Sequence, residues 1–242
     1  MRFTFGESCG SGVLAEREMR EEFSRLGAAL KGYPDLVRGE VEGLTLEQMA
    51  YASQEPPWAR WSIDLQMRHI ALVTPAWLAL RAGELLRQRG YAFPETAPII
   101  AELIRAGVRH VPPEVAPHRE ALTDFMRPWA DLCCAIIDRE GAERLRSLTF
   151  THYTDPDWVR PGDPFKPVDY HRMAAGLHPS GFREDPAKPG LFHLEVGAVL
   201  RHIWWNVLAH LRTIQRLKLL QGLPLAHELP REGYLTLPEF YD

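Results

Sequence analysis

A chain of 242 residues, 45% hydrophobic and 25% charged, is long enough to bury a large core and has an ordinary globular composition. A formal net charge of −4 without any Lys/Arg block excludes the electrostatic footprint of a nucleic-acid binder, and no apolar run approaches the roughly 20 residues that span a bilayer. Met1 to Gly12 carries no apolar leader core, and three cysteines make no disulfide framework. The expected address is cytoplasmic, with neither nucleic acid nor membrane as partner.

Four long stretches and two short ones read as helix. The first covers Leu14 to Leu30, with Met19, Phe23, Leu26 and Leu30 at helical spacing and a stop at Gly32 and Pro34. A short piece from Thr45 to Tyr51 follows, started by Thr45 with Glu47 and Gln48. The second long helix takes Ser62 as its N-cap, is interrupted at Pro75, and runs to about Arg89 before Gly90. A minor helix, Pro98 to Arg105, leads into a third long one from Pro113 to Arg139, with Pro128 as a kink point. The last runs from Leu194 to Leu220 and stops at Gly222 and Pro224. Cys133 and Cys134 point roughly 100° apart on the third helix and read as buried thiols; Cys9 reads as exposed.

Between the third and last long helices, about 141–193, lies a crossover crowded with Pro, Gly and Asp. Only Ser147 to Tyr153 has strand character, and Tyr170 to Leu177 reads as one short helix. Seven aromatics within it argue for a packed cover, since free linkers are poor in them. The expected architecture is all-α: a single domain over 1–242, a four-helix bundle with a long irregular insertion between its third and fourth helices.

The last helix places polar groups where core residues belong. On an ideal wheel, at about 100° per residue, Val196, Val199, Val207, Ile214 and Leu217 lie within about 40° of Ile203. Asn206 and His210 fall inside that stripe, while His202 sits on its flank. The same construction on the second helix turns His69 inward with Leu65, Leu72, Val73 and Leu80. A buried imidazole or amide without a partner costs on the order of 1–3 kcal/mol, and helix bundles build metal sites from such groups. Two imidazoles and an amide oxygen from two helices are a donor set for one divalent transition metal. The plainer reading is that each histidine is a core residue satisfied by backbone or water. His152, His171, His178 and His193 of the crossover read individually as solvated loop residues, any of which can fold over the bundle. Asp64 and Arg68 read as surface, and Trp204 and Trp205 as packing against the crossover or a second subunit.

The blocks Gly43-Leu44-Thr45-Leu46-Glu47-Gln48-Met49-Ala50 and Trp61-Ser62-Ile63-Asp64-Leu65-Gln66-Met67-Arg68-His69-Ile70 resemble the opening of the DinB-like (damage-inducible) bundle superfamily. In that superfamily a Trp-Ser-Ile start is followed by a histidine seven residues after the serine. The stretch Val199 to Ile214 is similar to its closing helix, which carries a histidine, three residues and another histidine. The resemblance covers the helical parts, roughly Leu14 to Arg89 and Leu194 to Gly222, and not the crossover. It implies an up-down-down-up bundle, a three-histidine site for nickel, zinc or iron, and a homodimer. By position His69 and His210 match two of the ligands. Asn206 stands where the third histidine is expected, with His202 as its substitute.

The first functional expectation is a metal-dependent enzyme that transfers a thiol, isomerises or hydrolyses a small molecule. The alternatives are a metal-free bundle binding a small polar ligand, and a vestigial site in a protein that works through dimer or partner contacts at Trp204 and Trp205.

Overall fold

The computed structural model describes residues 9–54, 60–159 and 166–241, with side chains from residue 16 onward and without those of 239 and 241. The expectation for Cys9 therefore lies outside the described side chains.

Helix α1 (Cys9–Val41) runs through the stop expected at Gly32 and Pro34. Leu26, Leu30, Tyr33, Val37 and Val41 are all buried and continue one apolar stripe across the proline. Burying that stripe, at roughly 25 cal/mol per Å², outweighs the roughly 3 kcal/mol that proline costs a helix interior. Helix α2 (Leu46–Ala50) starts with a capping box between Thr45 and Gln48. Helix α3 (Ile63–Pro75) starts at Ser62, whose Oγ accepts the Leu65 N–H at 3.2 Å. A π-helical turn, Ala76–Arg81, and helix α4 (Gly83–Gln88) continue it. The π turn adds about one residue to the register, so Leu80, expected inside, is 36% exposed while Leu78, Ala82 and Leu86 take the core positions.

Helix α5 (Ala97–Arg105) leads by a loop to α6 (Arg119–Ser147). Helix α6 opens later than expected, at His118, whose Nδ1 accepts the Ala121 N–H, and passes through Pro128; its one non-helical residue is Gly141, at φ 69°. Helix α8 (Val196–Leu220) ends where Gly222, at φ 71°, turns the chain. Helices α1, α3, α6 and α8 each pack against at least two of the others, and Cys133 is buried between them with Cys134 half-buried.

The all-α expectation needs correction. The crossover folds into strand β1 (Thr149–Tyr153), helix α7 (Pro167–Leu177), and strands β2 (Phe182–Glu184) and β3 (Leu191–Glu195). The strands form an antiparallel sheet of order β1-β3-β2, with Phe150 opposite Leu194 and Phe182 opposite the same residue on the other side. Phe192 and Leu194 alternate inward along β3. After α8 the chain returns over the helices through a 3₁₀ turn, Gly233–Thr236, and helix α9 (Pro238–Tyr241). Among the described residues no helix is long and apolar enough to cross a membrane.

One buried charge pair ties α1 to α8. Lys218 Nζ donates to Glu40 Oε1 at 2.6 Å and to the Glu40 carbonyl at 2.7 Å, and Gln215 Nε2 donates to the other carboxylate oxygen at 3.0 Å. Removing one partner of such a pair strands a charge without solvent. Lys218→Met is therefore expected to lower unfolding free energy by about 3–5 kcal/mol in urea titrations. Adding Glu40→Leu should restore much of the loss, and a double variant no better than the single one would contradict this account.

Candidate functional site

Three devices build the site. Ser62 fixes the phase of α3, which turns Gln66 and His69 toward α8. Arg68, read above as surface, is in fact buried: it holds Asp64 through Nε at 2.7 Å and donates to the Val111 and Ala116 carbonyls at 3.0 and 2.9 Å. Its own carbonyl accepts the Val111 N–H at 3.2 Å. This clamp pins the loop before α6 to α3 and sets Arg109 and His110 beside His69. The π turn after Pro75 then directs Trp77 and Arg81 into the same cavity, of about 310 Å³.

His69 and His210 face each other across that cavity, with ring centroids 4.5 Å apart and planes tilted by 57°. His69 Nδ1 donates to the Arg109 carbonyl at 2.7 Å, and His210 Nδ1 donates to Gln66 Oε1 at 2.6 Å. Each bond fixes the tautomer, leaving Nε2 with the lone pair on both rings. Carbonyl-type acceptors behind both imidazoles are the usual support of histidines that ligate a metal. Asn206, one turn before His210 on α8, also lines the cavity, and its Oδ1 is buried with no hydrogen-bond partner. Among the described residues no three His, Cys, Asp or Glu side chains come together with the spacing of a metal site.

Trp61 forms the outer wall. Its indole stacks on His210 at 6.0 Å and 10°, meets His69 at 4.9 Å and His110 edge-on at 4.5 Å, and carries the Arg109 guanidinium 4.3 Å above its ring. Burial, then the neighbouring His210, holds His69 well below the usual imidazole value. Burial and the Arg109 charge lower His210 to about 3. Both rings are neutral at physiological pH, the protonation state a metal ligand requires.

The far end of the cavity holds His171 and His202. His202 shares a hydrogen bond with the Tyr234 hydroxyl through Nδ1 at 3.0 Å and packs between Trp77 and Phe182. It lies about 12 Å along α8 from His210, and its ring neighbours do not include His69 or His210. In this arrangement it does not stand in for Asn206. The crossover histidines are not solvated loop residues either. His171 on α7 and His178 at its end are buried, and Thr154 Oγ1 bridges His171 Nδ1 and His152 Nε2 at 2.9 and 3.1 Å. His193 is half-buried and bonded to Asp185 at 3.1 Å. Of these four only His171 reaches the cavity wall.

Trp204 and Trp205 are 7% and 8% exposed, which removes them as an outward contact face. Trp204 Nε1 donates to Glu232, and His178 stacks on Trp205 at 4.4 Å. A Cβ on Gly233 would sit 2.1 Å from the Trp205 ring, so only glycine lets the returning chain lie this close and bring Tyr234 to His202.

Sequence reasoning missed Gln66, Arg81, Arg109, His110 and Tyr234. Gln66 was within reach: three residues before His69, it falls about 60° from it on the wheel. The others sit on the π turn, a loop and a 3₁₀ turn, where no helical or strand period marks the inward face. Comparison with family models, curated proteins and solved structures finds no match to this chain.

Proposed function

We propose that the protein is a metal-dependent enzyme acting on a small molecule, with His69 Nε2, His210 Nε2 and Asn206 Oδ1 holding one nickel, zinc or iron ion. The observation that carries this reading is the orphaned Asn206 Oδ1 beside two imidazoles whose other nitrogens are engaged by carbonyl oxygens. A buried amide oxygen without a partner costs on the order of 1–3 kcal/mol, and a cation in the cavity removes that cost. Two neutral imidazoles and an oxygen leave coordination positions open, as catalytic sites do. Bound there, the ion supplies Lewis acidity, which polarises a carbonyl or makes a bound water or thiol a better nucleophile. Gln66 and the Arg109 carbonyl keep the two rings in one tautomer, and Trp61 and Trp77 line the cavity. Thiol transfer, isomerisation and hydrolysis all fit such a site.

The packing of α1, α3, α6 and α8 supports an up-down-down-up four-helix bundle with the sheet-bearing crossover as its insertion. The Ser62-to-His69 interval and the Asn206-to-His210 interval support kinship with the DinB-like superfamily, with asparagine in place of one histidine. A cytoplasmic homodimer fits that kinship.

Metal analysis of untagged protein purified from metal-replete cells tests the reading. It predicts about one nickel, zinc or iron per chain, and loss of that metal from His210→Ala with the helical circular dichroism retained. Persistent absence of metal in the parent chain would favour a metal-free ligand-binding bundle.

A further inference from the structure

A chain of three polar side chains runs from the sheet to the far end of the cavity. His152 lies on β1, Thr154 follows that strand, and His171 lies on α7. Thr154 Oγ1 stands 3.1 Å from His152 Nε2 and 2.9 Å from His171 Nδ1, and both Thr154 and His171 are buried. The backbone holds the hydroxyl in place. The Thr154 N–H donates to the Gly190 carbonyl at 2.8 Å, and a Cβ on Gly190 would collide with the Thr154 carbonyl. Trp77, Phe182 and Phe192 pack around the His171 ring and fix its plane. The two outer nitrogens complete the chain. Among the described residues neither His152 Nδ1 nor His171 Nε2 carries a hydrogen bond, yet neither is sealed in the interior. His171 lines the cavity, so its Nε2 opens there. His152 is half-buried and lies off the cavity wall, so its Nδ1 opens outside it.

We propose that His152, Thr154 and His171 form a proton relay between solvent and the cavity, with His171 Nε2 giving a proton to, or taking one from, a small molecule bound there. The proposal deepens the enzymatic reading by naming the route of its proton, and it rests on that reading only in taking this cavity as the working site. A hydroxyl has one proton to donate and lone pairs with which to accept. Thr154 therefore donates to one ring and accepts from the other, so the two imidazoles share a tautomer, both Nε2–H or both Nδ1–H. In the first state His171 Nε2 passes its proton to the bound molecule. The Thr154 hydroxyl proton moves to His171 Nδ1, the His152 Nε2 proton moves to Thr154 Oγ1, and His152 Nδ1 takes a proton from solvent. Both rings end neutral as Nδ1–H tautomers, and one proton has crossed into the cavity. The reverse sequence withdraws a proton and resets the rings. Burial, then the Arg81 charge, lowers His152 to about 3 and holds His171 well below the usual imidazole value, so both rings keep an open lone pair at neutral pH. Replacing each proton as it leaves spares the buried ring a charge, which burial makes costly. A positioned imidazole supplied in this way is a general acid and base.

The test is nitrogen-15 NMR of the full chain, labelled at histidine, chelator-treated and metal-free, at pH 7. Long-range couplings between ring protons and ring nitrogens report the tautomer of each imidazole. His152 and His171 are expected to show the same tautomer or the same mixture of the two, and relaxation dispersion should show both rings exchanging at one rate. Thr154→Val removes the hydroxyl at nearly constant volume and should slow the His171 exchange at least tenfold, whereas Thr154→Ser should keep it within about threefold of the parent. His152→Phe closes the outer end and should slow His171 as much as Thr154→Val does. His193, bonded to Asp185 outside the chain, should not respond. A bridge that serves packing alone would hold both rings in one fixed state. Opposite tautomers in the parent chain, rings locked without exchange, or exchange unchanged by Thr154→Val would each overturn the proposal. The first two need no variant, so they decide it even where a variant fails to fold. Metal content measured on the same protein separates the two claims. Coupled tautomers without metal uptake would contradict the ion site alone, and metal uptake without coupled tautomers the relay alone.

Discussion

Asn206→His is expected to raise the affinity for Ni²⁺ or Zn²⁺ by at least tenfold, about 1.4 kcal/mol, in competition titrations against a chelator. The reason is donor chemistry. An amide oxygen is a hard, neutral, weak donor, whereas imidazole suits nickel and zinc. Asn206 lines the cavity one helical turn before His210, with its oxygen unpartnered, so a histidine there brings a nitrogen to the same side of α8. Gln66 and the Arg109 carbonyl already hold the other two rings, so the substitution asks no rearrangement of them. Unchanged affinity would mean that position 206 does not face the ion. His210→Ala in the Asn206→His background should return the affinity to below that of the parent.

Acidification from pH 7 to pH 4 is expected to strip several kcal/mol of stability, well before ordinary carboxylate titration completes. Burial is the largest cause in every case: it lowers His110 to about 4, and His152, His178 and His210 to about 3. It also holds His69, His171 and His202 well below the usual value. An unfolded chain protonates all of these near the ordinary imidazole value of about 6.5. Between that value and each folded one, the unfolded state binds the extra proton, so stability present above pH 6.5 is lost as the pH falls. Each group contributes at most about 1.4 kcal/mol per pH unit in its window, less for the more solvated His110. Urea midpoints measured at whole pH steps should fall steeply below 6.5, and metal should leave as the fold is lost, because the histidines of the unfolded chain bind protons instead. A midpoint unchanged down to pH 4.5 would show that these rings protonate freely in the folded chain.

Periodicity carried the long elements and all three proposed donors. His69 and His210 declared themselves because an imidazole inside an apolar stripe breaks a strong 3.6-residue pattern, and Asn206 did so by the same argument. Ser62 and the Thr45 capping box were legible because caps are local chemistry, independent of what packs later. Where tertiary packing decided, the sequence misled. Helix α1 continues through Pro34 because Tyr33, Val37 and Val41 extend its buried stripe. The π turn after Pro75 shifts the register of α3, which no composition rule signals and which exposed Leu80. The end of strand β3, Leu194 and Glu195, was absorbed into α8 because Glu195 and Val196 offer no breaker between them, and a strand of five residues shows hardly two periods. Arg68 looked like surface because a wheel cannot foresee that a loop more than forty positions away, at Val111 and Ala116, will fold its carbonyls onto a guanidinium. Arg109 and Tyr234 reach the cavity from irregular segments and leave no periodic trace.

The most direct test of the central claim is the X-ray absorption spectrum of the nickel-loaded chain at the metal edge. The account predicts two imidazole shells with nitrogen at about 2.0–2.1 Å and oxygen donors completing the sphere, and one imidazole fewer in His69→Ala and in His210→Ala. Oxygen-only coordination, or a histidine signal that neither substitution reduces, would contradict it.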